Sequence, residues 1–463
     1  MNFQRLEHDL IGDRYVPAET YYGIHTLRAV ENFPLSGIPI SAHPELVVAL
    51  AEVKLACARA NAGLGTLDAA RERVIVAAAD EVRQGLLHEH FVVDVLQGGA
   101  GTSSNMNANE VIANRALELM GRRRGEYGYL SPNDHVNLGQ STNDAYPTAA
   151  KLALHAAAGA LLPAMGRLAD SFAERAHAFA DVVKLGRTQL QDAVPMTLGQ
   201  EFTVFALTVR DDRDHLERAA GGLCEVNLGG TAIGTGLNAA PGFAGAAVRE
   251  LAELTGVAVR PARDLIEATQ GVGAFLYLAS SLKSFAVRLS KICNDLRLLS
   301  SGPQAGLAEI RLPALQAGSS IMPGKVNPVV PEAVNQVCFD VVGVEAAVAL
   351  AGQSGQLQLN AFEPLMVHLL LTALNRLEHA CDLLASRCVA GIETDAGRLL
   401  AFAEGSAVLA TALNPVIGYH RATQVAQQSV AQGRSVREIV QESGVVPAAE
   451  LADLLDPMRL VGR

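Results

Sequence analysis

Long runs of apolar positions at helical spacing dominate the middle of this chain. In 195–226, Leu198, Phe202, Phe205, Val209 and Leu216 follow at steps of three, four and seven residues. That is the seam of a packed helix, and only Asp212 interrupts it. The stretches 262–300, 329–352 and 356–390 are also long and heavily apolar, and from Ala333 to Leu350 the sequence is apolar almost all round. Helices of that kind are buried inside large bundles. A single bundle struggles to cover so many apolar faces, so subunits are expected to bury them against each other. Before this region, 44–62 and 68–87 read as helices broken by Gly63, Gly65 and Gly85, and the polar opening 1–43 reads as extended or short-helical around Pro17, Pro34 and Pro39. After about residue 395 the pattern shortens around Asn414, Pro415, Gly418, Gly433 and Pro447. The chain is therefore expected to be mainly α, in three domains: an N-terminal helical domain over 1–142, a long central helical bundle over 143–395, and a small helical domain over 396–463.

Four polar loops interrupt this helical pattern: 98–107, 140–144, 186–192 and 318–328. Each is rich in hydroxyls and amides and adjoins an apolar helix. Gathered in one place they would make a donor-rich pocket; taken singly, each can equally serve to cap its own helix. The run Gly318-Ser319-Ser320-Ile321-Met322-Pro323-Gly324-Lys325-Val326-Asn327-Pro328 is the densest in chemistry, with two hydroxyls, a cation and an amide between hinge-capable glycines. Pro328 and Pro331 suit the first turn of the following helix, with Asn327 as its N-cap, so the loop ends at a helix N-terminus that favours anions. It reads as a mobile loop closing over an anionic ligand, against the plainer reading of a connector. Two look-alikes fail. Gly324-Lys325 lacks the following Ser or Thr of a phosphate-binding loop, since Val326 stands there, and Ser319 stands where its first glycine belongs. Gly234, Gly236 and Ala239 match a dinucleotide fingerprint, but no β-branched strand precedes them.

Composition narrows the class. The 463 residues suit two or three domains, and the absence of Trp with sparse aromatics favours helix over sheet. A net charge of −11 argues against general nucleic-acid binding. Cys57, Cys224, Cys293, Cys338, Cys381 and Cys388 form no CxxC pair and no metal-binding spacing, which fits reduced core thiols in a cytoplasmic protein. No apolar run reaches the roughly 18 uninterrupted residues of a membrane span, and the N-terminus lacks the apolar core of a signal peptide, so no membrane association is expected.

The 318–328 run resembles the signature loop of the aspartase/fumarase superfamily, GSSxMPxKxNP. The other three polar loops match that superfamily in order and type, and the likeness runs from Glu7 to Glu442. Tyr21-Tyr22 with His25-Thr26-Leu27-Arg28, the run Ser141 to Thr148, and Val329-Val330-Pro331-Glu332 are similar to the aspartate-specific ammonia-lyases within it. The resemblance implies a three-domain helical fold that forms a homotetramer, with each active site shared between subunits. It implies reversible elimination of ammonia from L-aspartate to give fumarate, without an organic cofactor or metal. Ser319 would be the catalytic base. Thr102, Ser141, Thr142 and Ser320 would hold the β-carboxylate, Thr188, Lys325 and Asn327 the α-carboxylate, and Asn143 and Gln189 would face the amino group. Gly318, Ile321, Met322, Pro323 and Gly324 would move with the loop. Two other readings stay open: a fumarate hydratase acting on malate, and a non-catalytic scaffold homologue. Gln189 stands where fumarases carry a His paired with a Glu at the position of Glu332, and a Gln cannot titrate. Intact Ser319, Lys325 and Asn327 speak against a scaffold. Argininosuccinate and adenylosuccinate lyases share only the general form of the loop.

Overall fold

The computed structural model describes residues 3–462; residues 1, 2 and 463, the outermost positions of the expected terminal domains, lie outside them. Strand β1 (Gln4–Asp9) pairs antiparallel with β2 (Gly12–Pro17), and helices α1 (Ile24–Asn32), α2 (Pro44–Gly63), α3 (Ala69–Arg83) and α4 (Thr102–Leu119) follow. Next come α5 (Thr142–Ala178), the antiparallel hairpin β3 (Val183–Thr188) and β4 (Gln191–Thr197), and α6 (Leu198–Gly222). The chain continues through α7 (Phe243–Thr255), α8 (Leu265–Gln270), α9 (Gly273–Leu299), α10 (Val329–Gln353) and α11 (Glu363–Arg387) to a series of short helices from Ala396 onward. The protein is mainly α and built on a helical bundle.

The chain divides into two compact units. The first comprises residues up to Leu162 with Asp214–Ala286 and Asp340–Leu377; the second comprises Pro163–Arg213, Val287–Phe339 and residues from Glu378 on.

In the first unit the N-terminal segment is held by two buried carboxylates. Glu110 accepts from the backbone N–H of Gly23, His25 and Thr26, and Glu7 from that of Ile24, at 2.8 to 3.1 Å. These are the orphan donors at the start of α1, so the carboxylates cap it. A Cβ at Gly23 would lie 2.7 to 2.8 Å from Glu7, Tyr127 and Glu110, which leaves room only for glycine. Burial pushes the Glu110 carboxyl up, and the neighbouring Glu7 adds to the shift. Asp68 caps α3 by accepting from the N–H groups of Ala70 and Arg71. The bundle helices pair through His155 on α5, whose Nδ1 meets the Ala220 carbonyl on α6 at 3.2 Å, through Lys283 on α9 with Glu345 on α10 at 2.7 Å, and through Arg376 on α11 with Asp340 on α10 at 2.5 Å.

In the second unit the expected α6 seam from Leu198 to Val209 is buried, and Phe202 and Phe205 stack edge-on with Phe172 of α5 at centroid separations of 6.1 and 5.5 Å. Asp212, the polar break in that seam, is buried and accepts from Arg288 of α9 at 3.0 Å. Asn335 of α10 donates to Asn294 of α9, and Arg167 of α5 forks onto Asp382 of α11. The short C-terminal helices gather around Leu409, Leu413, Val436, Val440, Leu451 and Leu455.

Three stretches differ from their sequence expectation. The apolar run 262–300 is broken at Gly271 and Val272, between α8 and α9. The run 356–390 enters helix only at Glu363, because buried Asn360 turns back to donate to the carbonyls of Ala351 and Gly352 at the end of α10. The expected loop 186–192 is the tip of the β3–β4 hairpin. Helices α5 and α10 are long and apolar enough to cross a membrane by length and composition alone. Both also carry charge: Asp144 and Lys151 are buried on α5, and Asp340 and Glu345 make ion pairs on α10. Large apolar side chains are exposed along the bundle helices, among them Val204 and Leu207 on α6, Tyr277 and Val287 on α9, and Phe339 and Leu350 on α10.

Candidate active site

The first unit gathers Thr102, Ser141, Thr142 and Asn143 around the N-termini of α4 and α5. Gly99, Ala100 and Gly101 have φ values of 90°, 52° and 88°, a left-handed run that turns the chain sharply into α4. A Cβ on Gly101 would sit 2.4 Å from the ring of Tyr146, so this turn is pressed against the second turn of α5. Thr102, the first residue of α4, is exposed and donates to the Gly99 carbonyl at 2.7 Å. At the start of α5, Ser141 Oγ accepts from the Asn143 N–H at 3.2 Å, Thr142 Oγ1 accepts from Asn105 Nδ2 at 3.1 Å, and Asn143 Nδ2 donates to the Ala232 carbonyl at 2.7 Å. Asp144 anchors the turn, accepting from the N–H groups of Ser141, Gly229 and Thr231 at 2.9 to 3.0 Å. Burial raises its pKa, and those three N–H groups with nearby Lys54 work against the rise. Gly229 and Thr231, just ahead of the rejected dinucleotide look-alike at Gly234, thus supply two of the donors that hold the N-terminus of α5. Hydroxyls at two adjoining helix N-termini make a place where an anionic group is favoured.

The second unit carries the other predicted residues on two features. Ser319, Ser320, Lys325 and Asn327 share one loop, pinched at its neck. The Gly318 N–H donates to the Lys325 carbonyl at 2.7 Å, and Asn327 Nδ2 donates to the Gly318 carbonyl at 2.8 Å. Asn327 therefore closes the loop rather than capping α10 with its side chain. A Cβ on Gly318 would fall 2.7 Å from the Lys325 oxygen, and Gly324 adopts φ +80°. Within the loop, Ser319 Oγ accepts from the backbone N–H groups of Ile321 at 3.1 Å and Met322 at 2.9 Å. The tip is exposed, with Ile321 at 84%. Gly324, Lys325 and Asn327 also line a cavity of about 660 Å³ with Arg297 and Arg311, so the foot of the loop faces a basic recess. Thr188 and Gln189 sit exposed at the tip of the β3–β4 hairpin. Gln189 and Leu190 have φ values of 53° and 62°, both left-handed. A two-residue hairpin turn of that hand normally takes Asn-Gly, so this one is strained, and strain of this kind gathers at functional sites. The hairpin is held from below by buried Lys184, which pairs with Glu201 at 2.6 Å and Glu309 at 2.7 Å, and by Arg187 with Glu309 at 2.5 Å.

Residues 12–343 match the family model described as Lyase, and residues 409–462 match that described as Fumarase C C-terminus. The chain is 55% identical over 458 residues to aspartate ammonia-lyase of Pseudomonas aeruginosa, covering 99% of this chain and 97% of that one. It is 51% identical to aspartate ammonia-lyase of Escherichia coli, covering 99% and 96%. The chain belongs to the aspartate ammonia-lyase family, within the aspartase/fumarase superfamily. That is a family of carbon–nitrogen lyases. Among solved structures, fumarate lyase:delta crystallin of Brucella melitensis, bound to cobalt, matches with a TM-score of 0.98 and 54% identity over all of both chains. Class II fumarase of Schistosoma mansoni matches with a TM-score of 0.94 and 34% identity over 99% of both.

Within this lyase several residues that no sequence motif singled out support the predicted ones. Lys54 lies on α2 with no exposed surface, and its Nζ donates to Asn105 Oδ1 at 2.6 Å, Asn137 Oδ1 at 2.9 Å and Gln140 Oε1 at 2.8 Å. Burial lowers its pKa to about 8. A signal was present in the sequence: Lys54 stands on the apolar stripe of its helix with Val47, Leu50 and Cys57. All six cysteines are buried free thiols, and burial is the main cause pushing each pKa up. Among the described residues no group of three or more His, Cys, Asp or Glu side chains is arranged to hold a metal ion.

Proposed function

We propose that this chain catalyses the reversible elimination of ammonia from L-aspartate to give fumarate, with Ser319 as the general base. The observation that carries the reading is the Ser319 hydroxyl oxygen, which accepts two backbone N–H bonds within the signature loop. A serine is too weak an acid to act as a base unless its alkoxide is stabilised, and each pKa unit requires about 1.4 kcal/mol of differential interaction. Two fixed N–H donors, with the Lys325 charge on the same loop, act in that direction. Loop closure expels water and strengthens both.

Ser319 then takes the C3 proton, and the electron pair delocalises into the β-carboxylate as a dianionic enediolate. Thr102, Ser141, Thr142 and Ser320 donate hydrogen bonds to that group, and each such donor contributes roughly 3–4 kcal/mol if it acts as an oxyanion-hole donor does. Thr188, Lys325 and Asn327 hold the α-carboxylate; Asn143 and Gln189 face the ammonium. The enediolate pair forms the C2–C3 double bond as the C–N bond breaks, the ammonium leaves as neutral ammonia, and the abstracted proton remains on Ser319. Gly318, Ile321, Met322, Pro323 and Gly324 carry the base into place.

The exposed apolar side chains on α6, α9 and α10 support a homotetramer in which copies of this chain cover one another and complete each site. The ion-paired charges on α10 favour such a soluble, cytoplasmic assembly over insertion into a membrane. A hydratase is the second reading, favoured by the match to class II fumarase. It lacks a titratable group at Gln189. The test is ultraviolet absorbance of fumarate formed by purified protein from L-aspartate or from L-malate. Fumarate from aspartate alone is expected; fumarate from malate alone would make water the leaving group and overturn the reading.

A further inference from the structure

We propose that Lys54 is a positioning residue that sets the direction of a hydrogen-bond chain, Lys54 to Asn105 to Thr142, and so makes Thr142 an obligate proton donor toward a substrate carboxylate. The inference rests on the reading of Thr142 as a carboxylate ligand. An ammonium has three protons and no lone pair, and here its three acceptors are the neutral side-chain oxygens of Asn105, Asn137 and Gln140. A donor-only partner settles which end of each amide faces it. With Asn105 Oδ1 bound to Lys54, the Nδ2 end must point away, and it donates to Asn137 Oδ1 at 3.2 Å and Thr142 Oγ1 at 3.1 Å. The Gln140 Nε2 end likewise turns to the Val136 carbonyl at 3.0 Å.

A threonine hydroxyl can donate or accept. Thr142 Oγ1 already receives a proton from Asn105, so its own proton points elsewhere, away from α4. A carboxylate accepts only, and a hydroxyl whose proton is already turned outward meets it without reorganisation. Lys54 thus acts on a substrate it does not touch. The titratable groups that face it are Cys57 on its own helix and Asp144 on α5, both of which favour its charged form. From α4 and from the turn before α5 it is met by the amides named above. If Lys54 loses its proton it gains a lone pair, and the amide orientation is no longer imposed. Burial brings that loss to about pH 8.

The test uses the full-length enzyme and succinate, a dicarboxylate without an amino group, as inhibitor. Thr142→Val is expected to weaken succinate about tenfold or more. Asn105→Asp keeps the shape but replaces the donor by an acceptor, so the Thr142 proton turns inward and succinate weakens similarly. With aspartate, kcat falls in that variant by more than KM rises, because the lost donor meets charge that develops only as the C3 proton leaves. In the unmodified enzyme the succinate inhibition constant rises between about pH 7 and about pH 9. In Asn105→Asp, whose added carboxylate keeps Lys54 charged, the rise disappears. Normal succinate binding by Asn105→Asp beside a weakened Thr142→Val would overturn the relay and leave the role of Thr142 standing. Normal binding by Thr142→Val would overturn both. If Asn105→Asp does not fold, the unmodified enzyme decides: a constant that stays flat across that pH range refutes the relay.

Discussion

Ser319 owes its place to a loop that bends back on itself: the two N–H groups that meet its oxygen come from residues two and three positions on. The proposed base and the donors that would stabilise it are therefore one local unit, which is why a single short run of sequence contains them both. Ser319→Ala removes the proposed base without touching the neck bonds made by Gly318 and Asn327. Turnover of aspartate is expected to fall by about a thousandfold or more, with circular dichroism and assembly unchanged. Retained turnover would show that another group takes the proton. Lys54 is the opposite case. Its partners Asn105, Asn137 and Gln140 lie 51, 83 and 86 residues away in the chain, so no local pattern announces them. Asn327 shows a third: amide chemistry at a helix start was legible, but two caps are possible for it, and the neck of the loop claimed its side chain.

Among the elements, the long helices were legible because apolar spacing alone specifies a buried face, as the seam from Leu198 to Leu216 shows. The β3–β4 hairpin was not, because its tip residues Thr188 to Gln191 look like any polar loop and its hold lies in Lys184 and Glu309, far apart in sequence. Its turn also breaks the residue rules by which hairpins are recognised. Leu190 is 71% exposed at φ 62°, so Leu190→Gly removes strain while losing little packing. Stability is expected to rise by about 1 kcal/mol, read as a shift in denaturant midpoint at fixed protein concentration. A second element-level feature responds to acid. His43, just before α2, is buried, and its Nε2 lies 2.7 Å from Nδ1 of His368 on α11. One ring must donate and the other accept, so a proton added to the acceptor leaves two N–H groups face to face. Burial first, and the charge of His368 second, lower the His43 pKa from 6.5 to about 4. Because the folded value lies below the unfolded one, the neutral pair is fully stabilising above 6.5, and stability falls as pH drops from there toward 4. The loss amounts to about 3 kcal/mol at most. Unfolding midpoints measured across that window should fall more steeply for the unmodified protein than for His43→Gln; equal slopes would assign the acid sensitivity elsewhere.

For the whole molecule, the proposed assembly makes a prediction that no single chain can. If each site draws Ser319 from one subunit and Thr142 from another, Ser319→Ala and Thr142→Val proteins are each strongly impaired alone. Dissociated, mixed and reassembled, they should regain activity in the fraction of sites that assort an intact copy of each residue. No recovery after confirmed mixing would mean that each chain carries its site alone. The stretch from Ala333 to Leu350, read in sequence as apolar almost all round, leaves Phe339 and Leu350 each 61% exposed and so offers surface for the proposed assembly. What the sequence did not reveal is the division into two units, because each is assembled from three separate stretches of chain.

Ile321, at the tip of the serine loop, is 84% exposed in a protein with no tryptophan. An indole introduced there by Ile321→Trp would be the only one in each chain. Its fluorescence would then report the wetness of a single position, and titrating succinate against it would convert the proposed loop closure into an optical signal with its own amplitude and rate. Chemistry and motion in this enzyme could then be timed separately, one by the product and the other by the light.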